Sequence, residues 1–211
     1  MQYFIAFNIL GTSQQRANNT KGHIMQNFNG KIGTVCMTGE FNNITGKFKA
    51  YKDTTIGTVT RKSLLQICKL DNVADLTPDH VVRYHRQLKA KLQPKVKQNI
   101  NALYKQLQYV SRMPEGCQLF RISSNLLPMF DHPVFNVIYD PDLLEIVEIL
   151  LARCKRIIDT HSIRVCTHPD QFNVINSDNI KTRSQTFNCL YMHKYFMERL
   201  TLADQSSINI H

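Results

Sequence analysis

The sequence predicts an α/β protein in which about four parallel strands and three helices form an incomplete TIM (β/α)8 barrel. Strand-like and helix-like segments alternate along the chain, and their connections have the length that forces parallel pairing through right-handed crossovers. A complete barrel takes about 250 residues, whereas this chain has 211 residues and its predicted first strand begins near Lys31. An open doubly wound sheet is the alternative, but no glycine-rich phosphate loop follows any predicted strand.

The first elements are predicted from short apolar runs. Residues 32–37 form such a run between glycines, which is typical of a strand. Residues 39–63 are too long for a simple connector, so we expect this segment to be functional or partly a hairpin. Pro94 can occupy the first turn of a helix. The apolar residues of that helix fall on one face of a 3.6-residue repeat, and they are Val96, Ile100, Leu103, Leu107 and Val110.

Two further strands and a second helix follow. Residues 119–123 are predicted to form a strand. Asp140 and Pro141 suit the N-cap and the first turn of a strongly apolar helix. The third predicted strand covers residues 163–167 and is followed at once by His168.

The last helix and strand complete the predicted order. Asp178 or Asn179 can cap a helix over residues 181–202. The inner side of this helix is predicted to hold four residues, which are Phe187, Leu190, Tyr191 and Leu200. The final residues, 207–211, are predicted to begin a fourth strand.

The chain is predicted to divide into two regions. Residues 1–30 are expected to form a poorly ordered N-terminal extension, because much of this region is polar and rich in turn-forming residues. Within it, Met25 is the expected natural start. Residues 31–211 are expected to form a single partial-barrel domain.

Composition excludes several classes of protein. The chain is 43% hydrophobic and 20% charged, which is typical of a soluble globular domain. No run approaches the roughly 18 to 20 apolar residues of a membrane helix, and residues 1–10 lack the features of a secretory signal. The six cysteines form no C-x-x-C pair, so they are interpreted as small buried thiols. We therefore expect a cytoplasmic protein without a membrane segment.

The charge of the chain indicates an anionic partner. The formal net charge is +10, and the excess is concentrated in residues 83–112, which contain eight Lys or Arg residues and no Asp or Glu. One interpretation is a helix face exposed to water. The other is a set of contacts to a nucleic acid backbone.

Three histidines lie at or just past the ends of successive predicted strands, and they are His132, His168 and His211. Side chains at the carboxyl ends of barrel strands converge on one face. Neutral imidazole is a common ligand of divalent transition metals, so the three predict a metal site. A hydrogen-bonded structural role is the alternative for each. The other histidines are interpreted as surface residues, namely His23, His80, His85, His161 and His193.

Several motifs together resemble the N-terminal half of the ultraviolet-damage endonucleases. The most specific are FRISSNLLPMFDHPVF at residues 120–135 and RVCTHPDQFNVINS at residues 164–177. Three shorter stretches agree with the same pattern, and they are KIGTVCM at 31–37, TIGTVTRKSL at 55–64 and INIH at 208–211. The resemblance covers roughly residues 31–211 and identifies this region as a partial TIM-barrel endonuclease domain.

The resemblance implies a DNA repair endonuclease that depends on divalent metal ions. Members of this family use a metal cluster, usually Mn²⁺, to cut the DNA backbone 5′ of ultraviolet photoproducts. For this chain we expect Mn²⁺, with Zn²⁺ or Mg²⁺ as alternative metals. Carried over by position, the resemblance makes His168 and His211 metal ligands. It places His132 beside them, either as a third ligand or in contact with the scissile phosphate, so all three are catalytic candidates.

The resemblance also implies contacts to damaged double-stranded DNA. Gln171 and Phe172 match residues that wedge into the duplex at the lesion. A wedge of this kind replaces lost base stacking with a flat side chain and fills the gap with a hydrogen-bonding one. Four further residues are assigned DNA contacts by the resemblance, and they are Thr34, Arg121, Asn125 and Asn176.

The chain departs from the family pattern in two respects. Thr34 replaces a tyrosine that probes the lesion, and the carboxylate ligands of the later strands are not in this sequence. We therefore expect a split enzyme completed by a C-terminal polypeptide, self-association through exposed strand edges, or a truncated product without activity. Two other functions stay open, a noncatalytic fragment that binds damaged DNA and a sugar isomerase-like metal barrel.

Overall fold

The computed structural model describes residues 33–201 and 206–210. The predicted extension over residues 1–30, including Met25, lies outside the described residues, and so does His211. The predicted first strand is therefore described only from Gly33 onward.

The described residues contain six strands, which form two sheets. In chain order they are β1 (Gly33–Val35), β2 (Gly39–Asn42), β3 (Lys47–Ala50), β4 (Leu119–Ile122), β5 (Arg164–Thr167) and β6 (Ser206–Ile208). The larger sheet has the order β1-β4-β5-β6, and every neighbouring pair in it is parallel. The α/β class and the parallel sheet are confirmed, while the incomplete barrel stays a prediction.

The described part of the chain contains five α-helices, and they are α1 (Arg61–Ile67), α2 (Pro78–Arg83), α3 (His85–Val110), α4 (Pro141–Thr160) and α5 (Ile180–Leu200). Each of α3, α4 and α5 connects two neighbouring strands of the sheet. Their apolar sides and the strands β4 and β5 form most of the hydrophobic core, to which α1, α2 and the loop after β4 also contribute. Residues 33–201 also contain four short 3-10 turns, and they are Val73–Asp75, Glu115–Cys117, Ser124–Leu126 and Phe135–Ile138.

The segment after β1 folds back as a hairpin, in which β2 pairs antiparallel with β3. The carboxamide oxygen of Asn42 accepts hydrogen bonds from the backbone N–H groups of Ile44 and Thr45 at 2.9 and 2.8 Å. Gly46 closes the turn with φ of +66°, a conformation in which the absence of a Cβ avoids strain. The expectation of a partial hairpin within residues 39–63 is confirmed.

The helix α3 begins earlier than predicted. It starts at His85, so Pro94 lies in its interior rather than in its first turn. An interior proline removes one helical hydrogen bond and costs about 3 kcal/mol. The turns before it bury Leu88 and Leu92 completely, and burial of two such side chains, at about 1.5–3 kcal/mol each, offsets that cost. The five apolar residues predicted for this helix are all buried.

The helix α4 begins where the sequence predicts. Asp140 is its N-cap, and Oδ1 of this residue accepts a hydrogen bond from the backbone N–H of Leu143 at 2.9 Å. Pro141 is the first helical residue. The Lys89 ammonium of α3 donates to both oxygens of the same carboxylate, at 2.8 and 2.6 Å. The cap therefore also joins α4 to α3.

Asn179 caps α5 by accepting hydrogen bonds from the backbone N–H groups of Lys181 and Thr182. The predicted inner side of this helix is wrong for Phe187 and Tyr191, which are 58% and 61% exposed. Apolar residues occupy both sides of α5, so the repeat alone did not determine which side is buried. The buried side contains Thr186, Cys189, Met192, His193, Tyr195, Phe196, Met197 and Leu200.

The cysteines agree with a chain that has no disulfides. All six are free, and Cys68, Cys154, Cys166 and Cys189 are buried. Burial raises the pKa of the Cys154 and Cys189 thiols to about 12, which keeps both protonated at neutral pH. Across the described residues, no helix combines the length and the apolar character that crossing a bilayer requires.

Candidate functional site

The loops after β4 and β5 carry most of the candidate residues, because the carboxyl ends of these parallel strands meet at one edge of the sheet. The strand register aligns Val35, Arg121, Cys166 and Ser207 in one row across the sheet. Side chains along a strand alternate between the two faces, so the row points to a single face. His168 directly follows β5 at this edge.

His168 is half-buried, and its hydrogen bond favours the tautomer in which Nε2 is free to bind a metal ion. Its Nδ1 lies 2.8 Å from the backbone oxygen of Pro169. A carbonyl oxygen can only accept, so Nδ1 donates its proton in this bond. In the neutral ring Nε2 then keeps its lone pair, which is the state in which imidazole binds a divalent cation.

His132 has the opposite tautomer. Its Nδ1 accepts hydrogen bonds from the backbone N–H groups of Val134 and Phe135, each at 3.2 Å. The proton of the neutral ring is therefore on Nε2. Burial, together with the nearby Arg61 charge, lowers the pKa of His132 to about 4, so the ring is neutral at pH 7. A neutral ring with an Nε2–H group suits a phosphate oxygen better than a metal ion.

Two carboxyl groups that the sequence reasoning missed lie beside these histidines. Asp131 immediately precedes His132, and Asp170 follows His168 by two residues. Burial raises the pKa of the Asp131 carboxyl, the negative charge of Asp170 raises it further, and Arg61 opposes both effects. Their positions in the D-H-P and H-P-D motifs are the signal that could have identified them.

His193 corrects the sequence prediction, which placed it on the surface. It is fully buried on α5, and its Nδ1 lies 2.6 Å from the Thr167 hydroxyl oxygen. Its Nε2 is also buried and has no hydrogen-bond partner among the described residues. Burial lowers the pKa of His193 to about 4, with Asp170 opposing the shift. The remaining described histidines are half-buried or exposed, and they are His80, His85 and His161.

Gln171 and Phe172 lie in an exposed turn immediately after His168. The backbone N–H and the carboxamide of Asn173 close this turn by donating to the backbone oxygen of Asp170, at 3.0 and 2.9 Å. The Phe172 ring is 78% exposed, so it does not fold back onto the rim of the sheet. One short loop therefore carries both a histidine with a metal-binding tautomer and a ring available for stacking.

The four other residues predicted to contact DNA differ in solvent exposure. Asn125 and Asn176 are exposed on loops and accessible to a duplex. Arg121 is half-buried, and its Nε is a buried donor without a hydrogen-bond partner in the described chain. Thr34 pairs in register with the fully buried Phe120, and the Thr34 hydroxyl is itself enclosed by the protein. The DNA contacts of all four stay predictions.

A buried carboxamide fixes the loop after β4. Asn99 of α3 is completely buried, and its Nδ2 donates to the backbone oxygens of Gly57, Asn125 and Leu126 at 2.8, 2.9 and 3.3 Å. Its Oδ1 accepts a hydrogen bond from the Gly57 N–H at 3.0 Å. Asn99 thus holds two loops against α3, including the one that carries Asn125.

Ion pairs neutralise part of the basic stretch over residues 83–112. Lys89 binds Asp140, and the Lys105 ammonium lies 2.7 Å from Asp53. Four other cations of α3 have no ion pair within the described residues, and they are Arg86, Lys91, Lys95 and Lys97. These four leave α3 with unneutralised positive charge, as a phosphate contact requires.

The predicted metal site is only partly within the described chain. No group of three or more His, Cys, Asp or Glu residues in the described ranges is arranged to hold a metal ion. His211, the second predicted ligand, lies outside those ranges. His168 therefore fits a metal ligand by its tautomer, and the rest of a ligand set is not formed by the described residues.

A comparison with protein families decides the assignment of the chain. The family model described as UV-endonuclease UvdE matches residues 30–211. The chain belongs to the UvdE family. Two curated relatives are UV DNA damage endonucleases, one from Bacillus mycoides (strain KBAB4) and one from Bacillus cereus (strain 03BB102).

The first relative is 25% identical over 142 residues, which cover 65% of this UvdE-family chain and 44% of the relative. The second is 28% identical over 121 residues, which cover 57% of this chain and 36% of the relative. The chain therefore spans less than half the length of either relative. The family resemblance found in the sequence motifs is confirmed.

A solved structure shows the same fold. The crystal structure of SacUVDE is 21% identical in sequence and superposes with a TM-score of 0.54. The match covers 86% of this UvdE-family chain and 49% of the SacUVDE chain. The likeness shows a shared α/β fold across nearly the whole of the shorter chain.

Proposed function

We propose that this chain is the N-terminal part of a metal-dependent DNA repair endonuclease that nicks the backbone 5′ of ultraviolet photoproducts. The observation that carries the proposal is the short loop in which His168 and the exposed Phe172 lie four residues apart. Membership of the UvdE family supports DNA as the substrate. It does not favour the sugar isomerase-like barrel or the noncatalytic binding fragment.

The loop after β5 would recognise damage by inserting Phe172 and Gln171 into the duplex at the lesion. An exposed ring such as Phe172 can stack on a base whose neighbour is displaced, and the stack replaces lost base–base contact. Gln171 would fill the gap and hydrogen-bond to the base left unpaired. Photoproducts weaken pairing and stacking, so the wedge enters damaged sites at a lower cost than intact ones.

His132 would hold the scissile phosphate. Its Nε2–H donates a hydrogen bond that a nonbridging oxygen accepts, and the two backbone donors on Nδ1 keep the proton on Nε2. Arg61 adds a positive charge beside the ring. A fixed donor and a nearby cation stabilise the negative charge that develops on the phosphate during cleavage.

The metal ions are expected to be Mn²⁺, with Zn²⁺ or Mg²⁺ as alternatives, and His168 and His211 would hold part of the cluster. When bound, such a cluster supplies a nucleophile at neutral pH and offsets charge on the phosphate. Imidazole ligands are neutral and do not balance the charge of several cations. The carboxylate ligands would therefore come from a C-terminal polypeptide that completes the barrel.

Reconstitution tests this function. A duplex with one ultraviolet photoproduct is incubated with Mn²⁺ and either the chain alone or the chain plus a polypeptide carrying the later strands. We expect nicks immediately 5′ of the photoproduct only in the second case. His168→Ala should abolish nicking, whereas His161→Ala, an exposed histidine at the far end of α4, should not. Equal cutting of undamaged duplex, or no cutting with both parts present, would refute the proposal.

A further inference from the structure

A cavity of about 180 Å³ lies between α3 and the last two turns of α4. Its walls include Tyr104 of α3 and Arg153, Arg156, Ile157 and Thr160 of α4, and no Asp or Glu of the described chain lines it. The four α4 residues recur at i, i+3, i+4 and i+7, so they form one stripe along the helix. A water molecule occupies about 30 Å³ of the liquid, so the cavity has room for one tetrahedral oxyanion and a few waters.

The ring of Tyr104 holds Arg153 in place. The central carbon of the Arg153 guanidinium lies over this ring, 4.7 Å from its centroid. Attraction between the cation and the ring face keeps the side chain across the gap between the two helices. The N–H donors of a guanidinium project from its edges, so a contact of this kind leaves them available. An anion would therefore meet a positioned donor, with less side-chain entropy to lose on binding.

Two further donors follow Arg153 on the same stripe of α4. Arg156 lies one turn further along, and Thr160 lies one turn beyond it. The side chains of all three make no hydrogen bond or ion pair within the described ranges of the chain. A guanidinium can bind two oxygens of one phosphate at once, and a threonine hydroxyl can donate to a third. The cavity therefore presents unused donors of the type that binds phosphate.

The charge at this end of α4 also favours an anion. Residues 152–164 contain four cations and one acid, and they are Arg153, Lys155, Arg156, Arg164 and Asp159. The Asp159 carboxylate pairs with Lys155 at 3.1 Å, so it does not neutralise the two arginines of the cavity. On α3, the residues one turn to either side of Tyr104 are Asn101 and Gln108, which are uncharged. The arginines therefore keep their positive charge toward the cavity.

The end of a helix has the opposite effect, because its last carbonyls carry partial negative charge. In α4 the backbone oxygens of residues 157–159 already accept hydrogen bonds from the backbone N–H groups of residues 161–163. The effect is also confined to the last turn of a helix, whereas Arg153 lies two turns before the end of α4. Two guanidinium groups therefore outweigh this repulsion.

The cavity is separate from the candidate nuclease site. The helix α4 ends at Thr160, and β5 then runs from Arg164 to Thr167 before His168. The end of α4 is therefore at the amino edge of the parallel sheet, and His168 is at the carboxyl edge. At about 3.3 Å per residue, the four residues of β5 put about 13 Å between the two edges. A ligand of the cavity is therefore not the scissile phosphate.

We infer that this cavity binds a phosphate group, either as inorganic phosphate or as part of a small phosphomonoester. Arg153 and Arg156 donate hydrogen bonds to its oxygens, and the Thr160 hydroxyl donates one more. The bound group joins the end of α4 to α3, because Arg153 is already in contact with Tyr104. Such a site adds a small-molecule ligand to the proposed nuclease, and it does not depend on DNA.

Titration with inorganic phosphate tests the site. Phosphate is added to the isotope-labelled 211-residue chain at constant ionic strength, and backbone amide shifts are followed by NMR. We expect saturable shifts at Tyr104 and residues 153–160, and none in the loop at residues 171–173. Arg156→Gln and Arg153→Gln should each weaken binding about tenfold, since a hydrogen bond to a charged group is lost. Arg183→Gln removes an exposed charge from α5, away from the cavity, and should change the affinity less than about twofold.

Thymidine 5′-monophosphate and thymidine identify the form of the ligand. The nucleotide should bind with the same dependence on Arg156, whereas thymidine, which has no phosphate, should not bind at this cavity. Tighter binding of the nucleotide than of inorganic phosphate indicates a phosphomonoester as the ligand. Equal or weaker binding indicates the free ion.

Two results would overturn the inference. One is the absence of saturable shifts with phosphate, and the other is an equal loss of affinity in Arg156→Gln and Arg183→Gln. Arg156 is exposed, so its replacement should leave the unfolding midpoint unchanged, and the test does not depend on the half-buried Arg153. Arg156→Lys keeps the charge but loses the planar pair of donors, and its affinity should lie between those of the unmodified chain and Arg156→Gln. None of these measurements involves nicking, so their outcome is independent of the proposed nuclease activity.

Discussion

Thr167 and His193 form a fully buried side-chain hydrogen bond of 2.6 Å, which joins the last residue of β5 to the middle of α5. Thr167 directly precedes His168 in the chain. The bond therefore anchors the carboxyl end of β5 to α5 and helps to set the position of His168, the candidate metal ligand. It also explains why α5 buries a histidine among apolar neighbours.

Replacement of Thr167 with valine keeps the shape of the side chain and removes its hydroxyl. The Nδ1 atom of His193 is then left in the core without a partner, so the free energy of unfolding should fall by about 1–3 kcal/mol. Urea denaturation followed by circular dichroism measures the change. Ser184→Ala, an exposed hydroxyl on the same helix, should stay within about 0.5 kcal/mol of the unmodified chain. Equal stability of both variants would contradict a net contribution from the bond.

The free energy of unfolding should fall as the pH is lowered from about 6.5 to about 4. His132 and His193 each have a folded-state pKa near 4, below the ordinary value of 6.5. The unfolded chain therefore binds more protons in this window, and the stability present above pH 6.5 is lost toward pH 4. The slope is at most about 1.4 kcal/mol per pH unit for each histidine, and the half-buried His132 contributes less.

Urea denaturation at pH 7, 6 and 5 measures this dependence. His193→Asn keeps a side chain that can hydrogen-bond to the Thr167 hydroxyl but cannot be protonated, so its profile should be flatter than that of the unmodified chain. The same slope in both proteins would show that His193 does not titrate on unfolding.

Asn99→Ala should be the most destabilising of these variants. It removes hydrogen bonds from the partly buried backbone groups of Gly57 and Asn125 and from the buried backbone oxygen of Leu126, so we expect a loss of about 2 kcal/mol or more. The neighbouring Gln98 is exposed on the other side of α3, which makes Gln98→Ala a matched control. Amide hydrogen exchange gives a second measurement, because the Gly57 N–H should lose its protection only in Asn99→Ala. Persistent protection there would contradict the anchoring role.

Phe172→Ala should leave stability unchanged and weaken recognition of damage. The ring is largely exposed, so its removal should alter the free energy of unfolding by less than about 0.5 kcal/mol. Loss of one stacked ring should cost about 1–3 kcal/mol of affinity for a duplex with a photoproduct. Fluorescence anisotropy in the presence of a chelator measures binding apart from cleavage. A preference for damaged duplex that survives in Phe172→Ala would rule out the wedge.

The order of strands and helices could be predicted because it depends on local patterns. The apolar repeat of α3, the Asp140 cap and the crossover lengths are properties of short segments, and the structure confirms them. The start of α3 could not be predicted in this way. Local rules place Pro94 at a helix beginning, while burial of Leu88 and Leu92 extends the helix toward its N-terminus.

The candidate site was predicted less completely than the fold. The strand ends and the motifs singled out His132, His168 and the loop after β5 as candidates. They could not predict the tautomers of the two histidines, because these depend on the backbone groups that contact each Nδ1. The enclosure of His193 and the raised pKa of Asp131 depend on which helix side and which loops pack together. Such contacts join residues that are far apart in sequence, and the apolar repeat within a single helix or strand does not predict them.

The pairing of β1 with β4 has a consequence for how the protein folds, because residues 36–118 separate the two strands. Closing so long a loop costs entropy before any contact stabilises it, and parallel sheets fold slowly for this reason. We expect β4 and β5 to pair early and the three-residue β1 to dock last. In pulse-labelled refolding, the Arg164 amide, bonded to Gln118, should then gain protection before the Cys36 amide, bonded to Arg121.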